Sequence, residues 1–249
     1  MLPVLFEHGP IKVYSFGLMV LLAFILCYWL AVRGFQKAGI DRTNLHVIIA
    51  IIALSSFLGA KLFYVFETRR TLDLNVLQSL ELKSGLVWYG GFFTAVIAAA
   101  FYINRWPKYR LLAIDILMPL VLLGYAVGRI GCFLAGDGDY GPPSNMPWAM
   151  AFPNGVVPVY TKVHPTPLYD SALSFSFFLI IQIRKGKWQA GSTAIVSLFL
   201  LGLTRFITEF YRNTEIWLWD WLTLAHIFSL LLMLSAVILY FTLKRKQNT

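Results

Sequence analysis

The sequence predicts an all-α polytopic membrane protein with about seven transmembrane helices, an outer arm and an outer head loop. Three observations carry this. Of 249 residues, 58% are hydrophobic and only 13% charged, far more apolar than a soluble domain of that length. Apolar stretches close to the roughly 20 residues that cross a bilayer recur along the chain. The breaks between them hold clustered Lys and Arg, as cytoplasmic loops do.

The spans run near Ser15–Val32, His46–Phe66, Leu86–Asn104, Leu111–Arg129, Leu168–Ile183, Gly191–Tyr211 and Leu222–Leu243; the fifth is the shortest. No internal repeat, low-complexity segment or soluble domain interrupts them, so residues 1–249 read as a single integral membrane domain. Two connections are long. Residues 67–85 are polar and read as an outer arm lying on the membrane. Residues 136–167 are rich in Pro and Gly and form an outer loop; loops of this length are often functional. The N-terminal MLPVLFEHGPIKVYSF has no basic n-region and no small-residue cleavage site, so no removed signal peptide is expected.

Orientation follows from charge. Four connections on one side hold three basic residues each: Arg33, Lys37 and Arg42; Arg105, Lys108 and Arg110; Arg184, Lys185 and Lys187; Lys244, Arg245 and Lys246. The other side holds Lys12, Arg69, Arg70, Lys83 and Lys162 over longer loops. The C-terminus is therefore expected in the cytoplasm and the N-terminus outside, which is the periplasm in a bacterial inner membrane. Trp217, Trp219 and Trp221 read as anchors at the outer interface. The formal charge of +9 is accounted for by these loops and does not call for nucleic acid. Cys27 and Cys132 give neither a disulfide framework nor metal-ligand spacing.

The polar residues gather at one depth. The stretch Gly128–Gly141, GRIGCFLAGDGDYG, puts Arg129 near the outer end of the fourth span, flanked by Gly128 and Gly131, which leave room for a ligand or another backbone. An intramembrane guanidinium is costly unless it is used. The sixth span carries Arg205 and Glu209, four apart and so on one face, with Arg212 a turn further. Lys61 lies in the outer half of the second span, Tyr89, Gly90 and Gly91 start the third, and His164, Tyr169 and Asp170 precede or open the fifth. Structural readings stand beside these. Lys61 can snorkel outward, and Arg205 with Glu209 can be an ion pair internal to the bundle. Arg212 reads as interfacial, Asp115 as a cap or a partner of the basic loop, and His226 as a satisfied core histidine. Tyr14, Tyr64 and Tyr125 read as ordinary membrane-protein aromatics. Arginines at headgroup depth suit phosphate, which guanidinium binds bidentately. They can hold it, or stabilise it as a leaving group. Tyr89 and His164 are the candidates for proton transfer. No Ser-His-Asp order, metal-binding histidine pair or carboxylate cluster for a divalent metal is present.

In order along the chain, YSFGLM, GAKLFYV, LVWYGG, GRIGCF, PWAMAFP, HPTPLY and RFITEFYR resemble the prolipoprotein diacylglyceryl transferase family over nearly the whole length. The resemblance implies a seven-helix bacterial inner-membrane enzyme using no metal and no organic cofactor. Its substrates would be phosphatidylglycerol among the membrane lipids and prolipoprotein signal peptides with a lipobox cysteine. The diacylglyceryl group would pass to that thiol, forming a thioether and releasing glycerol 1-phosphate. The family's signature arginine falls on Arg129, as binder of phosphatidylglycerol, and its second essential arginine on Arg205. Of the family's G-R-x-G-N-F-x-N-x-E-x-x-G, Cys132 and Ala135 replace the two asparagines. One residue is added, so the signature glutamate matches Asp137 or Asp139. Tyr89 stands where many members have histidine, Phe16 where a tyrosine is frequent, and Pro167 and Asp170 where Gln and Glu are usual.

Two other functions fit the same arginines: a carrier or lipid-binding protein for an anionic solute, and a diverged family member using another acceptor. The carrier reading lacks the repeated halves and paired broken helices that many carriers show.

Overall fold

The computed structural model describes residues 1–9, 11–71, 88–214 and 222–247. Most of the 67–85 arm and the tryptophan cluster at 217–221 lie outside them. Strands β1 (Val4–His8) and β2 (Ile11–Tyr14) pair antiparallel. Then come α1 (Ser15–Lys37), α2 (Arg42–Thr71), α3 (Trp88–Ile103) and α4 (Arg110–Ala135). A second antiparallel pair, β3 (Met150–Phe152) and β4 (Val159–Val163), precedes α5 (Thr166–Arg184). A single 3-10 turn, Lys185–Lys187, leads to α6 (Ser192–Glu209) and α7 (Leu224–Gln247). Among the described residues, six helices are long and apolar enough to cross a membrane, and Gly90–Ile103 within α3 is a shorter apolar one. The chain is a multi-pass, all-α membrane protein.

The burial pattern inverts that of a soluble fold. Phe24, Leu21, Ile97 and Leu234 are exposed on their helices, while Thr166, Asp170, Ser174 and Thr204 are fully buried. Water cannot satisfy a polar group facing lipid, so such groups turn inward.

The chain divides into two compact units. One holds Val32–Ala113. Within it α2 and α3 pack at short range through small residues: a Cβ on Gly90 would lie 2.5 Å from the Gly59 carbonyl oxygen, and one on Gly91 2.7 Å from that of Ser56. The other unit holds Met1–Ala31 and Ile114–Thr249. There α5, α6 and α7 succeed one another as antiparallel neighbours.

Sequence expectation and structure differ at α4. The GRIGCF stretch does not follow the helix; it is helix, continuing six residues beyond Arg129 to Ala135. Of the two glycines flanking Arg129, Gly131 admits another backbone, as its lack of a side chain allows, while Gly128 faces open space. A Cβ on Gly131 would sit 3.0 Å from Met19 Cβ and 3.4 Å from the Phe16 Cα, so α1 can approach only a bare backbone. The helix ends at Gly136, whose φ of +64° is the left-handed conformation of a helix C-terminus.

The loop after α4 is ordered around a small core of its own. Tyr140, Phe152 and Val163 are buried together against Met1, Phe133, Met150 and Val159. The Tyr140 and Phe152 rings stack 4.0 Å apart, and the Tyr140 hydroxyl donates to the Val157 carbonyl at 3.2 Å. At its far end Pro167 stands in the first turn of α5, where a missing N–H costs nothing.

Candidate functional site

Four chain segments meet at one end of the larger unit: the last turns of α4 with the loop after it, the start of α5, the end of α6, and the entry to α7. On α4, Tyr125, Arg129 and Cys132 share a face at helical spacing. The Arg129 guanidinium carbon lies 5.0 Å from the Tyr125 ring centroid, and Nη1 donates to Cys132 Sγ at 3.7 Å.

Two carboxylates and two guanidiniums interlock here. Arg129 Nη1 pairs with Asp139 Oδ2, and Arg129 Nε lies 3.1 Å from Asp170 Oδ2. Arg212 reaches both acids: Nη1 donates to Asp139 Oδ1 at 2.7 Å, and Nη2 donates to Asp139 Oδ2 at 3.0 Å and to Asp170 Oδ2 at 2.9 Å. The remaining Asp170 oxygen accepts from the Thr208 hydroxyl at 2.6 Å. Asp170 is wholly buried, which only this degree of pairing makes tolerable. Backbone bonds fix the loop that carries Asp139. Thr166 Oγ1 donates to its carbonyl, its own N–H donates to Asp137 Oδ1 at 3.3 Å, and the Gly141 N–H donates to the His164 carbonyl at 2.9 Å. Gly141 admits no side chain, because a Cβ there would strike the Tyr211 carbonyl oxygen.

Charge settles the protonation states outside the spans. Burial alone would raise the Asp139 carboxyl, but the Arg212 and Arg129 guanidiniums override it and hold Asp139 below the ordinary carboxylate range. Burial and the neighbouring Arg129 work against the Arg212 cation; Asp170 and Asp139 outweigh them, and its pKa is raised.

Beside this network stands a third pair. Arg205 Nη2 lies 2.7 Å from Glu209 Oε2, and Glu209 Oε1 accepts from Thr214 at 2.7 Å and Thr223 at 2.8 Å. Thr223 in turn meets His226 Nδ1 at 3.2 Å. Arg205 is the most exposed of the three arginines, 27% against 14% for Arg129 and 4% for Arg212. Its Nη1 is buried with no hydrogen-bond partner among the described residues.

The other expected residues divide. His164 and Tyr169 come together: His164 Nδ1 and the Tyr169 hydroxyl lie 2.9 Å apart, Trp148 Nε1 donates to that hydroxyl at 2.7 Å, and Tyr211 packs edge-on to both rings. Of the two signature candidates, Asp139 holds Arg129, and Asp137 instead caps the Asp139 amide. Lys61, Gly90 and Gly91 belong to the smaller unit. Lys61 is buried, with Nζ 5.6 Å from the Tyr64 ring centroid, and the two glycines serve the α2–α3 contact. Tyr89 lies on α3, its side chain outside what the structure describes. Arg212 is not interfacial as expected; it is the most buried of the three arginines and the most fully paired. Its spacing of three from Glu209 and seven from Arg205 was the available signal. Tyr125 was legible in the same way, one turn before Arg129.

Cys132, Asp137 and Asp139 bring ligand atoms within 4.8 Å of one another. With two guanidiniums on Asp139 the local field opposes a divalent cation, so this trio does not suit a metal. What the end of the unit suits is an oxyanion: guanidinium donors in a low-dielectric surround, two of them partly reachable.

A family model described as prolipoprotein diacylglyceryl transferase matches residues 3–242. The chain is 32% identical over 248 residues to a phosphatidylglycerol–prolipoprotein diacylglyceryl transferase of Pseudomonas syringae pv. syringae (strain B728a), covering 95% of this chain and 91% of that protein. It is 31% identical over 218 residues to the protein of that name from Clostridium tetani (strain Massachusetts / E88), with 86% of each covered. A third, from Pseudomonas fluorescens (strain SBW25), is 31% identical over 257 residues, with 98% of this chain and 94% of that protein covered.

Proposed function

We propose, from the premise that this chain belongs to the prolipoprotein diacylglyceryl transferase family, that it is the transferase moving the diacylglyceryl group of phosphatidylglycerol to the lipobox cysteine of prolipoproteins. The single observation that carries this is a set of arginines gathered at one end of a membrane bundle, beside an ordered loop. In the reaction the cysteine sulfur bonds to the glyceryl carbon that carries the phosphate. That carbon–oxygen bond breaks, its electron pair stays on the phosphate oxygen, and glycerol 1-phosphate leaves. The thiol proton passes to a base, for which Tyr89 and His164 are the candidates.

Each residue then has a task. Arg129 and Arg205, the two reachable guanidiniums, hold the phosphate and stabilise the charge that grows on it as it leaves. Glu209 orients Arg205. Asp137, His164 and Tyr169, on the ordered loop and the start of α5, complete the assignment of substrate contacts within this unit. The distribution of basic residues supports an N-terminus and a head loop in the periplasm, where the acceptor peptide would emerge. A carrier is not favoured, since the relatives in hand are transferases by name.

Mass spectrometry of a lipobox peptide incubated with phosphatidylglycerol membranes tests the reading. The peptide should gain one diacylglyceryl mass with the wild-type protein and none with Arg129→Ala. Equal behaviour of the two proteins would overturn it.

A further inference from the structure

We propose that the Tyr125 hydroxyl donates a hydrogen bond to the phosphate of the lipid substrate, a role that rests on the transfer reading above. Tyr125 stands one turn before Arg129 on α4, with the guanidinium carbon 5.0 Å from its ring centroid. Its hydroxyl is buried and has no hydrogen-bond partner among the described residues. A buried hydroxyl without a partner is unfavourable, and a phenylalanine would fill the same space without that cost. The hydroxyl is therefore accounted for by a partner that the chain does not supply.

The surroundings say what that partner is. The Arg129 guanidinium flanks the phenol ring. Two more donors at this end of the unit are buried without an aligned hydrogen bond among the described residues, Arg129 Nε and Arg205 Nη1. The nearby carboxylate oxygens are committed: Asp170 to Thr208 and Arg212, Asp139 to Arg212 and Arg129. Unpaired donors on a phenol and two guanidiniums at one end of the unit call for an acceptor with several lone pairs and negative charge. A cation is repelled there, and a neutral carbonyl satisfies one donor only. A phosphoryl group satisfies all of them. The same chemistry is offered by the lipid headgroup and by free phosphate.

The test is Tyr125→Phe in the full-length protein in nanodiscs, with three readouts. First, kcat/KM for transfer to a lipobox peptide should fall by about 10- to 100-fold, the size expected for one lost hydrogen bond to a charged group. Second, thermal unfolding in nanodiscs free of phosphatidylglycerol should occur at the same temperature or a higher one, since an unsatisfied hydroxyl has been removed. Third, the rise in Tm that phosphatidylglycerol gives the wild type should shrink in the variant. Inorganic phosphate and glycerol 1-phosphate, run in parallel, distinguish a headgroup site from a free-phosphate site. Wild-type kinetics in the variant, a parallel loss of Tm and activity, or an undiminished lipid shift would each overturn the proposal. A wild-type protein that binds phosphatidylglycerol but leaves the peptide unmodified would sink the transfer reading instead, and the lipid shift alone would then decide the role of Tyr125.

Discussion

Arg212 grips Asp139 with both prongs of its guanidinium, at 2.7 Å and 3.0 Å, and with one of them also holds Asp170 at 2.9 Å. This one residue, three positions past the end of α6, ties the loop after α4 to the start of α5. Arg129 is gripped by the same two acids, so its position depends on Arg212 without any contact between them being needed. A charge that looks like a surface anchor in sequence is the strut of the site.

Arg212→Ala should therefore cost more than a surface arginine does. It leaves Asp170 and Asp139 short of a counter-charge, and breaking a buried pair from one side costs about 3–5 kcal/mol. Asp139 is 37% exposed and recovers part of its solvation, so the lower part of that range is expected. Arg212→Lys keeps the charge and loses the fork, and it should fall between alanine and wild type. Thermal unfolding in detergent orders the three; equal stabilities would show that the strut carries nothing.

Glu209→Gln separates orientation from charge at the second pair. Glu209 is nearly fully buried and takes Thr214 and Thr223 on one oxygen and Arg205 on the other. An amide keeps the two threonine bonds and presents an N–H to Arg205 or turns away. Transfer should drop by about 10- to 100-fold with the fold intact, the usual size when a group loses the partner that orients it. Steady-state kinetics with near-UV circular dichroism checks both halves; full activity would release Glu209 from the site.

How much of this was legible follows from what sequence encodes. The spans were, because hydropathy over about 20 residues is a strong signal. The Arg205–Glu209 pair was, because a spacing of four is a geometric statement about one helix. Arg129 stood out by the cost of its burial. The end of α4 was not legible, since Gly128 and Gly131 look alike whether they break a helix or admit a neighbour, and only α1 packed on Gly131 distinguishes the two. The choice between Asp137 and Asp139 was equally closed, because it turns on the path of a loop pinned by Thr166, His164 and a left-handed Gly136. Arg212 and Tyr125 had the right spacing, but a second chain segment was needed to show what each one meets.

Acid should weaken the site from its Asp139 side. The two arginines hold Asp139 below the usual carboxylate value of about 3.9. A carboxyl whose folded pKa is depressed gives stability that is present above its unfolded value and is lost as pH falls through the folded one. The contribution should thus be constant from neutral pH down to about 4 and fade below that. Unfolding temperature measured from pH 7 to pH 3 should show this drop in the wild type and a shallower one in Asp139→Asn. An identical acid limb in both proteins would remove Asp139 from the account.

Asp115 makes a claim about the fold that the site does not share. From the second turn of α4 its carboxylate accepts the Gly191 N–H at 2.6 Å and the Ala194 N–H at 2.7 Å, so it caps α6 from a neighbouring helix. The first N–H groups of a helix have no partner of their own, and α6 begins at a glycine with φ +89° and no side-chain cap. Losing such a cap typically costs about 0.5–2 kcal/mol. Asparagine, with one accepting oxygen and a weaker pull on the helix dipole, should restore part of it. The expected order of unfolding temperatures is wild type, Asp115→Asn, Asp115→Ala. Transfer per folded molecule should be the same in all three, because α6 carries Arg205 at its opposite end, more than two turns away. A variant that keeps its stability while losing transfer would mean that the start of α6 governs the chemistry, contrary to the separation drawn here.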